Sequence, residues 1–295
     1  MRNPHRSRSL KKPLILLPLI ATVGGLILAP SSSGATSKYL WNQEFNSKKA
    51  GKLDSKIWNY DIGDGSLKNL IGWGNNEQQY YTDTNVNIDG LGNLNIFAKR
   101  VVKPEIKICY YGDCLFTSSR INTKGKFEFQ YGRIETRIKM PVGEGTWPAF
   151  WALGSNIDTA PWPESGEIDF IETLGRTPRT VLGTIHGPGY SGSNGISGEY
   201  TGSKALSAAF HTYTVDWLPT SITWKIDGKV FHKVTKEMVA PNNWVFDQPF
   251  FLILNIAMGG NLGGFVPPEF KSPATMSVDY IRISKLNGYG KVTIG

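Results

Sequence analysis

The sequence predicts an all-β fold, a two-sheet sandwich or jelly roll. Helical periodicity is scarce, and short alternating runs dominate. Turn signals recur along the chain, with 33 Gly and 17 Pro among 295 residues. Many short strands separated by such turns are the pattern of sandwiches and jelly rolls.

The N-terminus stands apart. MRNPHRSRSLKK carries Arg2, Arg6, Arg8, Lys11 and Lys12 and no acid. The apolar run PLILLPLIATVGGLILAP follows, then SSSGATS with Ser33 and Ala35 in small-x-small spacing. This order is that of a secretory signal peptide, residues 1–35, with an uncleaved membrane anchor as the alternative. Pro18 and the Gly24-Gly25 pair interrupt the run and favour cleavage near Ala35. The protein is then expected outside the cell, without membrane attachment. Loss of the five basic residues lowers the formal net charge from +8 to about +3, so the basic balance carries no argument for nucleic acid. Residues 36–295 are read as one domain and a monomer. Cys109 and Cys114, the two cysteines of the chain, sit in CYYGDC and are expected to pair in an oxidising compartment.

The strands follow in order. KFEFQY sets Phe127, Phe129 and Tyr131 against Lys126, Glu128 and Gln130. RIETRIKM sets Ile134, Thr136, Ile138 and Met140 against Arg133, Glu135, Arg137 and Lys139. GTWPAFWALG places Trp147 and Trp151 on one strand face with Ala149 between them. Two rings flanking an alanine make a flat apolar platform, suited either to the core or to the C–H face of a sugar ring. HTYTVDW and SITWKI are strands, and Asp227-Gly228 after the second is a hairpin turn. FFLILNIAM is a continuous apolar run, expected to be buried on both faces. TMSVDYIRIS alternates again near the C-terminus.

The stretch SGEIDFIETLG, residues 165–175, carries Glu167, Asp169 and Glu172 at offsets 0, 2 and 5. In a regular strand Glu172 would face away from the other two. A β-bulge at Phe170-Ile171 shifts the alternation by one and returns all three to one face. The outer carboxyls then approach to about 5–6 Å, near the ~5.5 Å of retaining glycosidases; the wider inverting geometry stays open. Three acids so close do not all ionise cheaply, and a nucleophile, a protonated acid and a central tuning Asp are the natural division. A solvated acidic edge and a Ca²⁺ or Mg²⁺ site are the competing readings.

GEIDFIE resembles the motif of glycoside hydrolase family 16, in its bacterial laminarinase-type endo-β-1,3-glucanases. GWGNNEQQYYT at 72–82, SSRINTKGKFEFQYGRIETRIKMPVGEGTWPAFWALG at 118–154 and GTIHGPGYSG at 183–192 extend the likeness. So do FDQPFFLILNIAMGGN at 246–261 and MSVDYIRI at 276–283. The resemblance implies two curved antiparallel sheets with a concave substrate cleft, and retaining hydrolysis of a β-glucan. It implies Glu167 as nucleophile, Asp169 as assisting acid and Glu172 as acid/base. The motif with its extra residue is the bulged, laminarinase form; the lichenase branch has an unbulged one. Trp147 and Trp151 would line the subsites near the cleavage point, with Asn75, Arg120 and His186 bonding sugar hydroxyls. No cofactor is implied for catalysis. A structural Ca²⁺ away from the cleft is, with Glu44 and Asp279 as its carboxylates. Leu262 stands where an aromatic residue often follows the asparagine of GGN, and the CYYGDC loop departs from the family pattern. A mixed-linkage β-1,3-1,4-glucanase, a galactan hydrolase and a non-catalytic β-glucan-binding protein are the alternatives. Binding proteins of this kind lack the two glutamates.

Overall fold

The computed structural model describes residues 38–102 and 107–295. The expected signal peptide, residues 1–35, lies outside the described residues. Among them, two large and mainly antiparallel sheets carry the fold.

One sheet runs, edge to edge, through Ile196–Thr201, Thr180–His186, Glu167–Thr173, Thr146–Gly154, Phe250–Met258, Phe127–Gln130 and Lys291–Ile294. Arg120–Asn122 also pairs with Phe250–Met258, and Asn59–Asp61 pairs with Arg120–Asn122. The other sheet runs through Lys229–Thr235, Ser221–Ile226, His211–Leu218, Gly132–Lys139, Ala274–Ser284, Leu94–Arg100, Phe116–Ser118 and Gln79–Tyr81. The last two strands of that order run parallel.

Most alternating runs fold as their pattern requires; TMSVDYIRIS changes phase at Asp279, which the register passes over between Val278 and Tyr280, so that Tyr280 and Ile281 are buried in succession. Ile134 and Ile138 face the core while Arg133 and Arg137 face outward to pair with Asp216 and Asp279. Every residue of Phe250–Met258 is buried, as a continuous apolar run demands. Asp227 and Gly228 both have positive φ, the geometry of a type I′ hairpin between Ser221–Ile226 and Lys229–Thr235. Cys109 and Cys114 are joined and close the hairpin of Ile108–Cys109 with Gly112–Asp113.

The two inner faces meet in one aromatic-rich core. Phe129 packs against Trp217 at 5.6 Å and Phe170 at 6.2 Å, and Phe150 meets Phe170 at 4.9 Å. Ring pairs at such separations favour tilted and edge-on contacts.

The strand Glu167–Thr173 carries the expected bulge. The three steps from Asp169 to Glu172 span the same length as the two steps between their partners Thr184 and Leu182 on Thr180–His186. On the other side Asp169 faces Trp151 and Ile171 faces Phe150, so Phe170 is the extra residue. Phe170 and Ile171 both enter the core, at 3% and 0% exposure. Trp224 of the opposite sheet donates its indole N–H to the Asp169 carbonyl at 2.8 Å, which ties the bulge down from below. Gly183 lies under this indole; a Cβ there would stand 2.4 Å from Trp224 Cδ1.

Deleting Ile171 should leave a regular strand that keeps all three acids in phase, and a folded protein. Inserting one alanine after Ile171 should turn Glu172 into the core, where an unpaired carboxyl costs several kcal/mol. The insertion should therefore lose both activity and thermal stability. Thermal melts and circular dichroism of the two variants check this; an insertion as stable as the parent would contradict the assigned register.

Candidate active site

The outer face of the bulged strand and its neighbours holds the chemistry. Glu167, Asp169 and Glu172 lie opposite Leu153, Trp151 and Ala149 on Thr146–Gly154. On Thr180–His186 their partners are His186, Thr184 and Leu182. Antiparallel partners share a face, so one surface gathers the three acids, both tryptophans and His186.

Asp169 is the most enclosed of the acids, at 3% exposure; Glu172 is also buried, and Glu167 is half-buried. Trp147 donates its indole N–H to Glu172 Oε1 at 2.9 Å. Asp169 shares a hydrogen bond with Glu167 and stands 3.2 Å from His186 Nε2 through Oδ2. The imidazole lies close over Gly195, where a Cβ would come within 2.4 Å of the ring.

Burial raises the affinity of all three acids for a proton. For Glu167 and Asp169 the carboxyls are pushed well above the usual range, by desolvation first and then by a neighbouring carboxylate. Glu172 is raised too, by desolvation, while the Trp147 N–H and His186 pull it back down. Three like charges this close divide into protonated and ionised members.

Arg120 projects from its strand onto the same surface. Its guanidinium is sandwiched between Trp73 at 4.7 Å and Trp151 at 4.8 Å, and Nε lies 3.1 Å from Asp61. An arginine so placed is held as a rigid, part-buried donor rather than a solvated strand end. Trp151 in turn donates its N–H to Asn255 Oδ1 at 2.8 Å. Asn75 caps the turn Ile71–Gly74 and points Nδ2 at Glu77 Oε1, 3.4 Å away.

Several residues of this surface went unread in the sequence. Trp73, Asp61, Glu77 and Asn255 are buried beside it, and Trp162 is 43% exposed with its ring 6.1 Å from His186. A local signal existed for Glu77: with Gln79 and Tyr81 it repeats every second residue in GWGNNEQQYYT.

Glu167, Asp169 and His186 each bring one ligand atom within 4.8 Å of the others, a set able to hold a cation. The carboxylates expected for a structural Ca²⁺ are arranged otherwise. Both oxygens of Glu44 accept from Arg282, at 2.8 and 2.7 Å, and Asp279 Oδ2 accepts from Arg137 at 2.6 Å. Carboxylates already neutralised by guanidinium groups do not fit a Ca²⁺ shell, and no step below depends on one.

The family model of glycosyl hydrolases family 16 matches residues 71–282. Glucan endo-1,3-beta-glucosidase A1 of Niallia circulans is 40% identical over 262 residues, 83% of this chain and 37% of that protein. A beta-glucanase of Rhodothermus marinus is 36% identical over 256 residues, 83% of this chain and 84% of that one. The laminarinase catalytic domain of Thermotoga maritima superposes with a TM-score of 0.78 at 43% identity, covering 84% of this chain and 98% of that one. With a match across most of the described chain, and three carboxylates gathered on one sheet face, this chain belongs to glycosyl hydrolases family 16.

Proposed function

We propose that the protein is a secreted, endo-acting β-1,3-glucanase of the laminarinase type that hydrolyses its substrate with retention. One observation carries the reading: the bulge puts Glu167, Asp169 and Glu172 on one face beside two indoles. Relatives named glucan endo-1,3-beta-glucosidase, from Niallia circulans and Cryptopygus antarcticus, support the linkage. The basic and apolar N-terminal run supports secretion. No helix among the described residues is long and apolar enough to cross a membrane.

The chemistry runs in two displacements. Glu167 must be ionised to attack, so at that moment the proton shared by the pair rests on the more enclosed Asp169, whose hydroxyl then donates a hydrogen bond to the Glu167 carboxylate. Glu167 attacks the anomeric carbon while the bond to the leaving sugar oxygen breaks. Glu172 delivers its proton to that oxygen, so the sugar departs as a neutral alcohol. The Trp147 N–H donates to Glu172 Oε1, so the proton for the leaving oxygen is assigned to Oε2. In the second step Glu172 takes a proton from water, and the resulting hydroxide equivalent displaces Glu167 from the anomeric carbon. The product keeps its β configuration. Trp147 and Trp151 hold sugar rings by stacking, and Arg120, Asn75 and His186 bond the hydroxyls.

Mixed-linkage cleavage is the second reading. A structural neighbour at 34% identity is described as a non-specific endo-β-1,3(4)-glucanase. Product analysis on laminarin, lichenan and agarose decides between them: laminarin is expected to be cut into oligosaccharides fastest, and agarose not at all.

Glu167→Gln should lower turnover on laminarin by several orders of magnitude with the fold intact. Azide should restore part of the rate to Glu167→Ala and give a glycosyl azide of inverted configuration. Near-parental turnover in Glu167→Gln would remove the nucleophile assignment.

Trp147→Ala and Trp151→Ala should each weaken oligosaccharide binding by about 1–3 kcal/mol, as other ring-stacking contacts do. Calorimetric titration of a folded variant checks this, and unchanged affinity would return both rings to a packing role.

The third expectation concerns pH. The indole N–H lowers the proton affinity of Glu172, so Trp147→Phe should raise it. Glu172 must be protonated to act, so the alkaline limb of kcat/KM should move to higher pH in that variant. A limb that stays in place or moves down would contradict the acid role.

A further inference from the structure

The indole of Trp151 begins a chain of hydrogen bonds that leaves the sugar-facing surface. Trp151 Nε1 donates to Asn255 Oδ1 at 2.8 Å, and Asn255 Nδ2 donates to the Tyr81 hydroxyl at 3.0 Å. Tyr81 then donates to Glu77 Oε2 at 3.1 Å. Glu77 also receives Gln79 Nε2 at 2.6 Å and Asn75 Nδ2 at 3.4 Å.

The direction of this chain is forced. An indole N–H only donates, so the Asn255 oxygen must face it and the Asn255 amide must face Tyr81. Tyr81 accepts from that amide and has one proton left to give. Gln79 is oriented independently, because its Oε1 accepts the Met258 N–H at 2.7 Å and its amide is left for Glu77. Three donors therefore converge on residue 77, and the group there must accept all of them. An ionised carboxylate does so with two oxygens; an amide has one oxygen and would turn an N–H toward a donor. Burial pushes the Glu77 carboxyl upward, while Arg120 and the three donors pull it back.

The middle of the chain is buried. Gln79 and Tyr81 are fully buried, Glu77 and Asn255 are each 5% exposed, and the arrangement bridges the two sheets. Gln78 N–H donates to the Met258 carbonyl, so the backbone is fixed at the same place. A buried network of this kind holds its members to one geometry when every donor and acceptor is matched.

We propose that Glu77 is a positioning residue for glucan binding, fixing Trp151 through Tyr81 and Asn255 and holding Asn75 directly. The inference rests on the β-glucanase reading above. It assigns the carboxylate of GWGNNEQQYYT a role that no contact with substrate would reveal. One buried anion sets the orientation of a stacking ring and of a hydroxyl-bonding amide together.

The test is a double-substitution cycle on laminarin and on a short β-1,3-glucan oligosaccharide. Glu77→Gln should raise KM about tenfold and leave kcat within about threefold, the pattern of lost uniform binding. Tyr81→Phe keeps the ring, removes the link and should reproduce the part of the KM effect that runs through Trp151, so the test survives if Glu77→Gln does not fold. The decisive measurement is the Tyr81→Phe effect in a Trp151→Phe background, where there is no indole N–H to orient. There it should nearly vanish, to below about threefold, because Tyr81 acts only through the Trp151 branch and coupled residues are non-additive. Full multiplication of the two effects, or an unchanged KM in Tyr81→Phe, would overturn the proposal. The parent protein is the control: if it does not cleave laminarin, the β-glucanase reading fails, whereas cleavage with unaltered variants defeats only the role of Glu77.

Discussion

One extra residue in one strand governs this molecule. Glu167–Thr173 must bury Ile168, Phe170 and Ile171 in the core and still present three acids on the opposite surface. A regular strand cannot do both, because its side chains alternate without exception. The bulge at Phe170 resolves the conflict by placing two apolar residues in succession on the inner side. The Trp224 indole and the Asp169 carbonyl then hold the irregular backbone in place across the sandwich. An unpaired polar group under a bulge would be costly in so apolar a core, so the contact is part of what makes the irregularity stable.

The electrostatics of the site follow from that geometry. Bringing three carboxyls onto one part-buried face raises all of them, and the environment sorts them. Asp169 is the most enclosed, Glu172 has a donor on one oxygen, and Glu167 is the most open to an incoming sugar. Stability and chemistry pull in opposite directions here. A carboxyl whose folded pKa is raised favours the folded state below its unfolded value, and that contribution fades as pH rises through the raised value. At neutral pH the acids are a strain on the fold, offset by the large core beneath them.

The apolar strand Phe250–Met258 ties the remaining surface together. It is buried along its whole length, yet Asn255 lies at its middle and reaches Trp151 on one side and Tyr81 on the other. Arg120 stands next to it, between two indoles and against Asp61. Charge and hydrogen-bonding groups are thus embedded in apolar structure, where fixed partners replace water. Such groups meet a substrate already oriented, and less freedom is lost on binding.

The two-sheet class, the main strands, the Asp227-Gly228 hairpin and the bulge with its three acids were all legible in the chain, because each is written in local alternation or turn chemistry. Period two shows which side chains share a face, and a broken period shows where a face must be recovered. Other features depended on residues distant in sequence. Arg120 came to the sugar-binding surface only through the family resemblance; it is the approach of Trp73, Asp61 and Trp151 that encloses it. Glu44 and Asp279 read as cation ligands, and the folded chain gives them Arg282 and Arg137 instead. Asn255 passed unread within an apolar run, because its partner Tyr81 lies 174 positions away. Alternation is a property of neighbouring residues and survives in the sequence, whereas the partner of a buried polar group is chosen by sheet packing, which no short stretch of chain records.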